Sequence, residues 1–222
     1  MTDYTSPQWA SSALLVIDMQ VDFAEGGASP VPGTAAITAN VQRLAAGYRR
    51  VGLPVVHLVR LYAPGGSDVD PPRRALIEAG AAVVAPGSAG SAIIAGVAGP
   101  SENAGIAVAV NADLVLTGRP QVLGENEIVL FKPRWGAFYR TDLQAWLSDR
   151  SIDTLVVAGC NLPNCPRATF FEASERDYRT VLAKDAVSQS TTERVQDLAA
   201  IGVKVVPTSE IISQLSQRQV SV

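Results

Sequence analysis

The chain has 222 residues, 47% of them hydrophobic and 18% charged, and its 18 basic against 21 acidic side chains leave a net charge of −3. That length and apolar share suit a single domain spanning 1–222 and exclude a disordered chain, while the mild acidity argues against nucleic acid as a partner. Two Cys cannot build a disulfide framework, and a single His, His57, rules out every site that needs two, including HExxH zinc sites and facial triads.

The N-terminus has no basic stretch followed by an apolar one, so no signal peptide is expected, and the location implied is cytoplasmic with both thiols reduced. Residues 13–17 (ALLVI) form a continuous apolar run between Ser12 and Asp18, the pattern of a strand buried on both faces. Residues 35–51 carry Ile37, Val41, Leu44, Ala45 and Tyr48 at helical spacing, and Gly52 closes the helix. Residues 54–60 (PVVHLVR) make a second strand. Residues 79–101 contain no charge at all, but repeated Gly and Pro break the run far short of the roughly 20 apolar residues a membrane span needs. A Gly/Ala-rich excursion, packed on its own subunit or a neighbour, is expected there instead, with no membrane partner.

Further strands are predicted over 128–131 (IVLF), 154–158 (TLVVA), 180–183 and 203–206. Helices are predicted over 141–149, 165–176, 192–201 and 210–217. Six apolar runs separated by helices imply a doubly wound α/β domain, a mostly six-stranded parallel sheet with helices on both faces. This is a three-layer α/β/α, Rossmann-like architecture, whose ligands bind beyond the carboxyl ends of the strands.

Neither GxGxxG nor GxxxxGK[ST] occurs, so neither a dinucleotide nor a nucleoside triphosphate is indicated. Three strand ends carry reactive side chains instead. Asp18 opens the string Asp18-Met19-Gln20-Val21-Asp22-Phe23 after the first strand, where a carboxylate serves either a site or a turn. Lys132 follows residues 128–131, a position where a lone lysine is usually just solvated. Cys165 precedes Pro166, the residue favoured at a first helical position, so it sits at a helix N-terminus whose unpaired N–H groups would favour a thiolate. Cys160, at the end of an apolar strand, reads as a small buried hydrophobe. The C-x4-C spacing of the two cysteines departs from the C-x-x-C of thioredoxin-like redox couples.

Taken together, the DMQxDF string at Asp18, Lys132, and Cys165 opening a helix resemble the isochorismatase-like cysteine hydrolase family, which includes nicotinamidases, N-carbamoylsarcosine amidohydrolases and ureide hydrolases. The likeness runs from about Leu14 to Val206. It implies a catalytic triad of Asp18, Lys132 and Cys165, an oxyanion hole built from the backbone N–H groups of Asn161 and Cys165, and a cis peptide between Cys160 and Asn161. The family's turn before the cysteine usually reads G-x-x-T-x-x-C, and here Leu162 stands in place of the Thr. Nicotinamidase-type members carry an Asp-x-His…His metal cluster after the second strand. Here that stretch, Val59 to Asp68, has no His, so neither metal nor other cofactor is expected and His57 reads as a packed, hydrogen-bonded core residue.

The implied activity is hydrolysis of a C–N bond in a small neutral amide, ureide or lactam through a thioester, with release of ammonia or an amine. Phe23 and Trp135, each a few residues beyond a triad member, are the candidate substrate-binding walls. Arg134, Arg167 and Asp68 are candidates to orient polar ends. The alternatives are vinyl ether hydrolysis of the isochorismatase type, which needs no thiol, and a non-catalytic binding member of the fold. A homodimer or higher homo-oligomer is expected, because the uncharged 79–101 segment would otherwise leave an apolar face in water.

Overall fold

The computed structural model describes residues 3–99 and 105–217. Seven strands form one sheet: β1 (Ser12–Ile17), β2 (Val55–Val59), β3 (Gln121–Gly124), β4 (Glu127–Phe131), β5 (Thr154–Gly159), β6 (Arg179–Val187) and β7 (Lys204–Val206), in the order β3-β4-β2-β1-β5-β6-β7. Every neighbouring pair is parallel except β3–β4. The seventh strand corrects the expected six. Its residues alternate between half-buried and exposed, so β3 has no apolar run to betray it, and a tight connection at Glu125 and Asn126 folds it back on β4 as an edge hairpin.

The central strands read as unbroken apolar runs because both of their faces are covered. Leu14 and Val16 of β1 pack with Val41, Leu44 and Tyr48 of α1 (Thr34–Arg50) and with Ile211 and Leu215 of α7 (Thr208–Gln217). Ala13, Leu15 and Ile17 face the opposite layer, with Leu143 and Leu147 of α4 (Leu143–Ser148), Phe170 of α5 (Cys165–Ser174) and Leu198 of α6 (Thr192–Ala200). Each such large apolar side chain contributes roughly 1.5–3 kcal/mol on burial. Two short helices escaped the periodicity reading, α2 (Pro71–Glu78) and α3 (Ala112–Val115). α3 is a single turn, and α2, barely two turns long, has only Ala75, Leu76 and Ile77 as consecutive apolar residues and so shows no helical stripe.

The uncharged segment folds onto its own chain. Val84, Ile93 and Val97 are buried, and Ile93 bridges Gln20 on one side and Val108 on the other. Its apolar side chains are therefore satisfied within one molecule, which removes the reason for deriving a homo-oligomer from it. Pro100 and Ser101, at its end, lie outside the described residues. Among the described residues no helix is long and apolar enough to cross a membrane.

His57 is a packed, hydrogen-bonded core residue, as read from its place inside a strand. Its Nε2 lies 2.6 Å from Glu127 Oε1 at the start of β4, and the same carboxylate accepts two bonds from Arg49 of α1 and one from the Gly99 N–H. Burial pushes the imidazole pKa below its ordinary 6.5, only partly offset by Glu127. Burial alone would raise the Glu127 carboxyl, but its bonds to Arg49 and His57 outweigh that and hold it at about 2. Both shifts are downward, so the unfolded chain binds more protons, and the stabilisation present above pH 6.5 is lost as acid titrates first His57 and then Glu127. The melting temperature is accordingly expected to fall steadily below pH 6.5. Glu127→Gln should melt lower than wild type at pH 7, with a flatter dependence between pH 4.5 and about 2; thermal unfolding across pH checks both.

Candidate active site

The sheet reverses its winding between β1 and β5, and the candidate site lies beyond the carboxyl ends of the strands around that point. Backbone bonds pin each contributing residue. The Asp18 N–H donates to Leu58 O at 2.9 Å, the Lys132 N–H to Val59 O at 3.0 Å and the Cys160 N–H to Ile17 O at 2.9 Å. Asp18 adopts a left-handed φ of 53°, which Asp tolerates better than most residues and which turns the chain off the strand. Gly159, with φ of 114°, ends β5 where a Cβ would collide with the Ile17 carbonyl, so only glycine lets β5 run this close to β1. The Cys160–Asn161 peptide is cis, as the resemblance implied.

Lys132 is fully buried, against the expectation for a lone strand-end lysine. Its Nζ donates to Asp18 Oδ2 at 2.9 Å and to Arg134 O at 3.4 Å. The second carboxylate oxygen, Oδ1, is buried without a hydrogen-bond partner. Cys165 begins α5, after Asn164 as N-cap, and lines one cavity with Asp18, Asn161, Phe23 and Trp135. Sequence reasoning named all five of these. It missed Arg60, Tyr62 and Arg73, which line the same cavity; Arg60 follows β2 and Arg73 lies on the short α2, and neither belongs to a motif.

The helix N-terminus favours a thiolate at Cys165, and burial opposes it. Burial pushes the Cys165 thiol up to about 12, and the Asp18 charge adds to this, while Lys132 pulls the other way. Cys160, expected to be inert, is buried, donates from Sγ to Asp18 O at 3.1 Å, and is likewise raised by burial. The N–H groups of Asn161 and Cys165 donate to no backbone carbonyl outside the regular elements.

Of the residues suggested for orienting polar ends, none lines this cavity. Arg134 and Arg140 both pair with Asp68 at the surface, and Arg167 lies over the exposed Phe171 ring. The cavity is small, about 40 Å³. A larger one, about 300 Å³, is lined by Leu61, Leu116, Phe131 and Arg140 and holds none of Asp18, Lys132 or Cys165, so size does not mark the site here. No group of three His, Cys, Asp or Glu side chains suited to a metal ion occurs among the described residues.

Residues 12–210 match the family described as the Isochorismatase domain. An Arabidopsis thaliana protein named a probable inactive nicotinamidase is 31% identical, over 94% of this chain and 98% of its own length. A ureidoacrylate amidohydrolase of Methylobacterium radiotolerans is 27% identical, over 88% of this chain and 74% of its own. Among solved structures, an isochorismatase family protein from Desulfovibrio vulgaris superposes with a TM-score of 0.76 at 31% identity, covering 93% of this chain and 98% of that one.

Because the Cys165 thiol is held neutral, its alkylation by iodoacetamide should be slow at pH 7 and climb through pH 9 without a plateau. Asp18→Asn removes the charge that raises the thiol and should alkylate faster than wild type at pH 8. Mass mapping after brief labelling checks both rates and should find Cys165 modified before Cys160.

Proposed function

The chain belongs to the isochorismatase family, and from that membership we propose that it is a cysteine hydrolase cleaving a C–N bond of a small amide, ureide or lactam through a thioester on Cys165. The observation that carries the reading is that Asp18, paired with the buried Lys132, lines the same cavity as Cys165, with one Asp18 oxygen unbonded among the described residues.

The chemistry balances on these groups. As the substrate carbonyl enters, Asp18 Oδ1 takes the thiol proton and the sulfur attacks the carbonyl carbon, so the high resting pKa matters only until the proton has a base to go to. The oxyanion of the tetrahedral intermediate is received by the N–H groups of Asn161 and Cys165, both free of backbone acceptors. Asp18 returns the proton to the nitrogen, the C–N bond breaks, and ammonia or an amine leaves a thioester. Water, deprotonated by Asp18, then attacks that thioester, and the acid leaves as the thiol is restored. Lys132 keeps a compensating charge against Asp18 whenever it is ionised.

The family's vinyl ether reaction would use Asp18 and Lys132 and leave the thiol idle. A non-catalytic role is favoured by one observation only, the word inactive in the Arabidopsis relative's name. Against it, the aspartate, lysine and cysteine positions are all filled.

Cys165→Ala should lower ammonia release from any amide substrate by about 10³-fold or more. Isochorismate cleavage that survives this substitution would overturn the amidohydrolase assignment. Activity should also withstand EDTA. Trp135 is 42% exposed at the cavity, so Trp135→Ala should raise KM for planar substrates about tenfold with little change in melting temperature. Steady-state kinetics beside a thermal melt separates the two effects.

A further inference from the structure

A second buried ion pair borders the cavity, and no step above uses it. Arg60, the residue after β2, is 3% exposed. Its Nη2 donates to Asp70 Oδ1, its guanidinium lies 5.1 Å from the Tyr62 ring centroid, and its Nη1 is buried with no hydrogen-bond partner among the described residues. A charged donor left unpaired in the interior is costly, so the arrangement makes sense where a ligand supplies the acceptor. Arg60 lines the same cavity as Asp18 and Cys165, whereas Asp70 does not. The Asp18 carboxylate is also near enough to Arg60 to favour its charged form.

The sum of charges points the same way. Lys132 neutralises Asp18 and Asp70 neutralises Arg60. Arg73, half-buried on α2, also lines the cavity; it donates to Ser29 Oγ at 3.2 Å and forms no ion pair among the described residues. The lining therefore carries one surplus positive charge.

We propose that the site takes monoanionic amides, with a carboxylate on the substrate received by Arg60 Nη1 and Arg73 while the amide carbonyl meets Cys165. This rests on the hydrolase reading above and replaces the neutral substrate suggested by sequence. Arg60, Arg73 and Cys165 line one small cavity, so the carboxylate and the amide are joined by a short chain. The fork of a guanidinium suits this task, since one nitrogen can remain on Asp70 while the other binds the ligand.

Succinamate and succinamide share a carbon skeleton and differ by a carboxylate for a carboxamide. Calorimetric titration of Cys165→Ser with each should give a dissociation constant about tenfold or more lower for succinamate. Adding Arg73→Gln should remove most of that preference. Arg60→Gln strands Asp70 without its partner, so it is paired with Asp70→Asn, and a thermal melt confirms folding before the preference is read; this double variant should lose the preference too. Equal affinities, tighter binding of succinamide, or no binding of either compound would overturn the proposal. Ammonia release by the wild type separates it from the hydrolase reading. Succinamide turned over at an equal or higher kcat/KM refutes the anion subsite and keeps the hydrolase. A succinamate preference in binding, with no amide ever hydrolysed, refutes the hydrolase and keeps the subsite.

Discussion

The buried Lys132–Asp18 pair is the constraint on which the rest of the site depends. Desolvating two charges costs several kcal/mol per ion, and their attraction repays this only in good geometry. The sheet supplies that geometry. β4 and β1 are separated by β2, so the lysine must reach across two strand spacings, about 9–10 Å, to the aspartate. A long side chain from one strand end and a short one from the other close that gap. Removing either partner would leave an uncompensated charge in the interior, at a cost of about 3–5 kcal/mol.

Around this pair the site is assembled from charges that are already answered. Arg60 and Asp70 repeat the device beside the same cavity, and burial holds the Cys165 thiol protonated there. A protonated, buried thiol is a poor target for adventitious oxidants, since the thiolate is the form that reacts. In the reaction proposed above, such a thiol stays quiet until a substrate carbonyl gives the proton transfer to Asp18 a purpose.

Much of this was legible in the sequence, for a physical reason. A strand covered on both faces must be apolar throughout, so 13–17 and 154–158 stood out, and the residue just after such a run is placed by the fold itself. That logic located Asp18 and Lys132, and the helix start marked by Pro166 located Cys165. It did not reveal β3, whose edge position leaves it half-polar, or the burial of Lys132, which depends on a carboxylate 114 positions away in sequence. It also left out the burial of the thiol. The helix N-terminus was visible at Cys165-Pro166, but the burial that outweighs it is a property of the assembled interior. Arg60 went unnoticed for the same reason, because its meaning lies in Asp70 and the cavity and not in its neighbours along the chain.

Gly159 beside Ile17 has a consequence for how the molecule is made. The β1–β5 ladder joins strands whose ends, at Asp18 and Cys160, are 142 positions apart. Parallel pairing at such separation contributes nothing until a long loop has been closed, which places this protein among the slower-folding topologies. β1 emerges well before β5 during synthesis and must wait for it before its second edge is covered. Throughout that interval an apolar strand with open hydrogen-bonding groups is available to other chains. The contact that assembles the site is thus also the one that ends the nascent chain's exposure to aggregation.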